Sequence, residues 1–465
     1  MLKSKKMWIA CLVLVLMLIG APLFAQVTAD IKNFKSPPSA LKGMNIVVGN
    51  YWADYDTTKN PPTAQWYGSE SQEKLLEWRR RIQREFGFTM QEKNIASWNE
   101  MPQIAATSTM ANRPAADVFV VQSDWAMSLY RQGLLAPLND GKFDFSKGNK
   151  IVDINQMIVE LFTLPDAKGK KKLYAYQIDY GGSLHGQVIF FNKRLLKEAG
   201  FNENHLYDLQ KDGKWTWDEF LKVCKALTRD TNNDGIMDTY ATTADLSTEI
   251  LDIFVAGNGA DYVGRDSKSG KLINATNTRG FLEALQFAIR LRNEGVMMPK
   301  PEGAAWDWYK PMFNDGRVAM RLEQEYVRQD IANMKDDWGM VLPPKGPRAK
   351  NYVVFTDENV LVIPKTKTPA QVEAILWAMQ AWNARVDPRW QTVLYPVFRD
   401  VRVVDETMAM IRNPALLKFR NNILVPGLNR GSIAWEMWFY DGEPAQLVES
   451  VSQNWNNLVA DANGD

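Results

Sequence analysis

Cysteine and histidine are nearly missing from this chain, with two of each among 465 residues. His185 and His205 leave little material for a histidine-rich metal centre or an imidazole base. Cys11 falls inside an N-terminal apolar run, so a processed chain would keep only Cys224. One cysteine makes no internal disulfide, and the fold must then rest on its core. Cys224 shares a helical face with Phe220, Val223 and Leu227, where it reads as a packed thiol rather than a nucleophile. Net charge is missing too. Fifty-five basic residues against 54 acidic ones create no field that favours nucleic acid. Hydrolase signatures are lacking: there is no Gly-x-Ser-x-Gly elbow and no His-Glu-x-x-His. GRDSKSGKL (Gly264–Leu272) fails as a phosphate loop, because its spacing is one residue too long and Leu272 replaces Ser or Thr.

What is present begins with an export signal. Lys3, Lys5 and Lys6 precede an apolar run from Trp8 to Ile19, followed by small residues at Gly20, Ala21 and Ala25. That run is too short for a spanning helix, which needs about 20 residues. Residues 1–25 are therefore expected to be a signal peptide, and the protein to be exported, periplasmic or at the cell surface. With that segment leave three lysines and no acids, which moves the net charge from +1 to −2. The length is too great for one core and predicts two or three domains. Strand-like runs alternate with helical patterns. Asn45–Asn50, Thr89–Lys93, Asp117–Val121 and His185–Asn192 read as strands. Helices follow them, among them Thr216–Leu227 with its Thr216/Glu219 cap and Thr368–Met379 with its Thr368/Gln371 cap. This alternation predicts an α/β protein with largely parallel sheets.

Several stretches resemble the family 1 extracellular solute-binding proteins. They are VIFFNKRLLKEAGF (Val188–Phe201), KWTWDEFLKVCKALT (Lys214–Thr228), FNDGRVAM (Phe313–Met320), WGMVLPPKGP (Trp338–Pro347) and NVLVIPKTKTPAQVEAILWAMQAW (Asn359–Trp382), with DVFVVQSDWAMSLYRQGLLAPL (Asp117–Leu138) ahead of them. The order matches and covers nearly the whole processed chain. The resemblance implies a two-lobed periplasmic-binding-protein fold (type II), each lobe a mainly parallel sheet flanked by helices. Lobe 1 would comprise residues 42–138 and 357–424, lobe 2 residues 139–356 and 425–465. It also implies a monomeric binding protein, not an enzyme, that delivers a carbohydrate to the permease of an ABC importer. A non-sugar solute and a secreted glycosidase are the alternatives.

Sugars show flat apolar faces edged with hydroxyls, so their sites pair aromatic rings with Asp, Glu, Asn, Gln or Arg. Seventeen tryptophans are many for this length. Such residues stand at strand exits: Tyr51, Trp52 and Asp54; Trp98; Gln122, Asp124 and Trp125. Asp179 and Tyr180 stand at one crossover, and Asp357 and Glu358 at the return. Glu325 and Tyr326 follow FNDGRVAM, and Trp435 lies in the C-terminal piece where the family has a stacking ring. Trp78, Trp377, Trp215 and Trp217 read instead as packing residues. DTNNDGIMD (Asp230–Asp238) places Asp230, Asn232, Asp234, the Ile236 carbonyl and Asp238 at calcium-loop positions, but Ala241 occupies the twelfth, where a bidentate Glu belongs. The alternatives are a structural calcium ion and an Asx-rich turn satisfied by its own backbone. No other cofactor is expected.

Overall fold

The computed structural model describes residues 29–52, 70–179, 186–243, 247–305, 307–356, 359–387, 389–439 and 442–464. The segment expected to be a signal peptide lies outside them.

The first lobe is built on a four-stranded sheet. β1 (Asn45–Asn50) lies between β2 (Thr89–Asn94) and β3 (Val118–Gln122), and is parallel to both. A later strand, Asn359–Val362, runs antiparallel on the outer side of β3, with Asn359 opposite Gln122. Helices cover this sheet, and Val118–Val121 is accordingly a run of four buried residues. Helix α1 (Glu70–Phe86) puts Leu75, Trp78 and Ile82 inward at helical spacing. It stops at Gly87, whose φ of 68° favours a residue without a Cβ. The helix Pro369–Trp382 starts with the expected capping box of Thr368 and Gln371. Trp78 Nε1 donates to the Ala381 carbonyl at 2.7 Å and ties the two helices together. Trp377 packs against Phe34 and Phe86, so both tryptophans are packing residues.

In the second lobe, β4 (Gln187–Asn192) is buried at every position. It is flanked by β5 (Met320–Gln324) and β6 (Trp338–Val341), both antiparallel to it. This core sheet departs from the mainly parallel arrangement expected for the second lobe. The reason is directional: β4 leads away from the crossover, and the chain returns along β5, so Gln324 ends opposite Gln187. Parallel pairing here is confined to short pairs such as Met297–Met298 with Thr242–Thr243. Trp215 Nε1 donates to the Leu342 carbonyl at 2.8 Å, and Trp217 stacks on Phe287 at 4.4 Å. Cys224 is a free, fully buried thiol in the same core. Gly339 cannot be replaced here without displacement. A Cβ would come within 2.2 Å of Phe191 Cζ and 2.5 Å of Tyr207 Oη.

The lobe boundary expected at Leu424 falls earlier. The chain from about Trp390 to Phe419 packs on the second lobe, not the first. Phe398 lies on Trp338 at 6.1 Å, Thr407 Oγ1 donates to the Met340 carbonyl at 2.7 Å, and Leu417–Phe419 pairs with Val354–Thr356. The C-terminal helices Gly431–Phe439 and Pro444–Asn463 belong to the same lobe.

Candidate functional site

The exits of β1 and β3 and the start of the antiparallel strand at Asn359 all fall on one edge of the first sheet, because parallel strands end together. Four rings cluster there. Tyr51 meets Trp52 at 4.9 Å and Trp125 at 5.4 Å, and Trp98 meets Trp125 at 5.4 Å, all edge to face. Trp125 is the hub. Tyr51 Oη donates to Asn359 Oδ1 at 2.6 Å, which orients its ring, and the Trp52 backbone N–H donates to Asn50 Oδ1 at 3.0 Å. Trp52 and Trp98 remain 49% and 52% exposed, whereas Trp215, Trp338, Trp382 and Trp455 are fully buried. A contiguous set of exposed aromatic rings on an otherwise well-packed protein marks a contact surface.

Charge gathers beside the rings. Asp124 opens helix α2 (Ser123–Arg131) and accepts the Trp125 N–H at 2.9 Å. Burial holds its carboxyl above the usual range, while that N–H and, more weakly, Arg430 and Arg420 pull it back. From the second lobe comes Tyr326, in the turn after β5 and 49% exposed. Burial pushes its phenol well up, and the charges of Glu323 and Glu249 and the Tyr51 phenol add to the effect. Glu249 lies in the first turn of helix α3 (Ser247–Gly257). Burial raises its carboxyl, and the neighbouring Asp252 raises it further. Behind it, Asp252 accepts Arg420 and Arg430 on one oxygen and Tyr262 Oη, at 2.7 Å, on the other.

Of the residues expected at the site, Tyr51, Trp52, Trp98, Gln122, Asp124 and Trp125 share the one edge, and Tyr326 is a half-exposed ring of the second lobe. Trp435 is 51% exposed on the C-terminal helix that packs against α3. Glu325 is a correction. It is fully buried and paired with Arg328, so its carboxylate is turned into the second lobe's interior rather than presented at the surface. The Glu-x-x-Arg spacing of 325 and 328 was the signal for that pair. Asp54, Tyr180, Asp357 and Glu358 lie outside the described residues, and of Asp179 only the backbone is described, pairing with Asp153. Glu249 was missed, and no local pattern ties it to Tyr326, 77 positions further along.

The 230–238 loop is closed by its own backbone. Asp230 accepts the N–H groups of Asn233 and Gly235, both at 2.8 Å, and Asp234 accepts that of Ile236 at 2.8 Å. Asp238 accepts the Thr231 N–H at 2.7 Å. Gly235 has the positive φ, 85°, that such a turn requires. Among the described residues no three acids, histidines or cysteines converge as metal ligands. The donor set is thus that of an Asx-rich turn, and a calcium ion would have to share oxygens already in use.

Residues 94–381 match the bacterial extracellular solute-binding protein family. The chain belongs to that family. Three solved structures show the same two-lobed fold. The GacH receptor of Streptomyces glaucescens GLA.O, solved unliganded and with acarbose, is 14% identical with a TM-score of 0.61, over 90% of this chain and 99% of its own. The cyclic α-maltosyl-1,6-maltose binding protein of Arthrobacter globiformis is 15% identical with a TM-score of 0.62, over 90% and 99%. An ABC substrate-binding protein of Listeria monocytogenes, in complex with cycloalternan, is 15% identical with a TM-score of 0.59, over 91% and 100%. No curated protein matches this solute-binding protein significantly. Among its described residues no helix is long and apolar enough to cross a membrane.

Proposed function

We propose that this solute-binding protein captures a sugar or oligosaccharide between its lobes and delivers it, as an exported monomer, to the permease of an ABC importer. The observation that carries this reading is the aromatic edge of the first lobe, with Asp124, Gln122 and Asn359 beside it. Rings supply faces for pyranose stacking, and the polar groups supply acceptors and donors for hydroxyls. The saccharides named for the neighbouring structures support the same ligand class. A thermal-shift screen of the processed chain against neutral mono- and oligosaccharides, with product analysis of each hit, tests it. A ligand that binds only the native state at 100 times its Kd adds about 2.7 kcal/mol of stability. A stabilising sugar recovered unchanged is the expected result. A sugar recovered cleaved would overturn the receptor reading in favour of a glycosidase, and no response to any sugar would point to a different solute.

A structural calcium ion in the 230–238 loop is proposed separately, as an addition to the Asx turn. If it binds, millimolar calcium raises the melting temperature above that in chelator, and Asp234→Ala abolishes the difference. Equal melting curves with calcium and chelator would leave the loop a metal-free turn.

A further inference from the structure

Helix α2 touches both halves of the molecule. Its first turn carries Trp125, the hub of the aromatic edge, and its last residue, Arg131, lies about 9 Å further along the axis. There Arg131 Nη2 donates to the Leu424 carbonyl at 2.8 Å. Leu424 ends a short helical turn, Asn421–Leu424, that packs on α2. That turn is anchored in the second lobe. Asn421 Nδ2 donates to the Val263 carbonyl at 2.9 Å, and the residue before it, Arg420, binds Asp252 on α3, which packs on β4 and β5. Arg430 returns to the same Asp252 oxygen. Residues 420–430 therefore form a loop closed at its base by one carboxylate, with the Leu424 carbonyl bound to the first lobe. The helix that carries Trp435 starts directly after it, at Gly431. One hydrogen bond thus joins the helix of Trp125 to the loop that leads into the helix of Trp435.

We infer that Arg131 is a positioning residue: by holding α2 against the 420–430 loop it sets the spacing between the Trp125 and Trp435 rings, one from each lobe. This rests on the reading that a ligand is held between the lobes, and it assigns Arg131 no contact with that ligand. The bland alternative is that Arg131 serves only its own helix, whose C-terminal end favours a basic side chain. That accounts for a basic residue in the last turn. It does not account for the reach to a carbonyl 293 positions away, nor for a guanidinium that has no acidic partner among the described residues. The rigidity of the acceptor matters. A mobile acceptor would follow the helix wherever it moved, whereas a loop pinned twice to Asp252 gives α2 a fixed stop. A ligand that needs both lobes binds more tightly when their relative placement is set in advance, because less freedom is lost on binding.

The test begins on the processed chain without ligand. Spin labels are placed at Thr107→Cys on the helix Met101–Met110 and at Lys222→Cys on the helix Trp217–Leu227, exposed positions of the first and second lobe, while the buried Cys224 stays unlabelled. In Arg131→Ala the distribution of interlobe distances is expected to broaden. In Arg131→Lys, which keeps a donor, it should stay narrow. Calorimetry with gluco-, galacto- and manno-configured mono- and trisaccharides follows. Arg131→Ala should weaken binding about tenfold, the scale of one hydrogen bond from a charged donor, at a melting temperature close to that of the unaltered chain. Arg131→Lys should recover most of that loss. In the Trp125→Ala background Arg131→Ala should cost less than about twofold, because the ring it positions is gone. An unchanged distance distribution overturns the inference whether or not any sugar binds. Unchanged or tighter binding by Arg131→Ala overturns it too, as does a tenfold penalty that persists without Trp125. A sharp fall in melting temperature would make Arg131 a structural residue and sink it as well. Distances that respond while no sugar binds would leave the coupling of the lobes standing and remove the carbohydrate reading alone.

Discussion

Trp125→Ala is expected to weaken ligand binding by about 30-fold, equivalent to about 2 kcal/mol. The ring is the hub of the aromatic edge, touching both Tyr51 and Trp98. Its removal deletes a stacking face and frees its two neighbours to turn away from their edge-to-face contacts. Stability should fall far less than affinity, because Trp125 is only partly buried and lies outside the main core. Trp435→Ala probes the second lobe in the same way, through a ring that is half exposed on the C-terminal helix. Calorimetry with a sugar found in the screen, alongside melting curves, separates the two effects. Unchanged affinity in both variants would sink the proposed site.

Asp252→Asn should be the most damaging single substitution away from the aromatic edge, costing about 3–5 kcal/mol. It removes the carboxylate that two guanidinium groups share. Arg420 is almost wholly buried, Arg430 is partly buried, and both bind the same carboxylate oxygen. An ion pair in the interior is weak evidence of stability as a unit, but removing one partner leaves uncompensated charge out of water. The surface pair of Arg348 and Glu283 offers the contrast. Arg348 holds the Glu283 carboxyl down to about 2, yet Arg348 is 40% exposed and solvent screens the pair. Arg348→Ala should therefore cost far less than Asp252→Asn. Urea denaturation of both variants decides the matter. A loss below about 1 kcal/mol for Asp252→Asn would show that the network is dispensable.

Much of the fold was legible because its signals are local. Strand runs such as Val118–Val121 and the 3.6-residue spacing of Leu75, Trp78 and Ile82 reflect which faces each element buries. The caps at Thr216 and Thr368 likewise need only four consecutive residues to be recognised. The aromatic edge was legible for a related reason. Parallel strands deliver their exits to one side of a sheet, so residues after β1 and β3 had to meet.

Pairing between distant segments was not legible. The antiparallel second sheet depends on the direction in which β5 returns to β4, and no residue pattern encodes that direction. The misplaced boundary at Leu424 has a similar cause, since Thr407 and Phe398 bond to β6 across some 60 positions. Glu325 is paired with Arg328 three residues on, a spacing visible in the sequence, whereas Asp252 is paired with Arg420 and Arg430, 168 and 178 residues away. Composition, periodicity and caps determined the elements, the two cores and the aromatic exits of this solute-binding protein. Which acids are paired was decided only when tertiary folding brought remote arginines to them, because charge pairing acts through space and leaves no periodic trace in sequence.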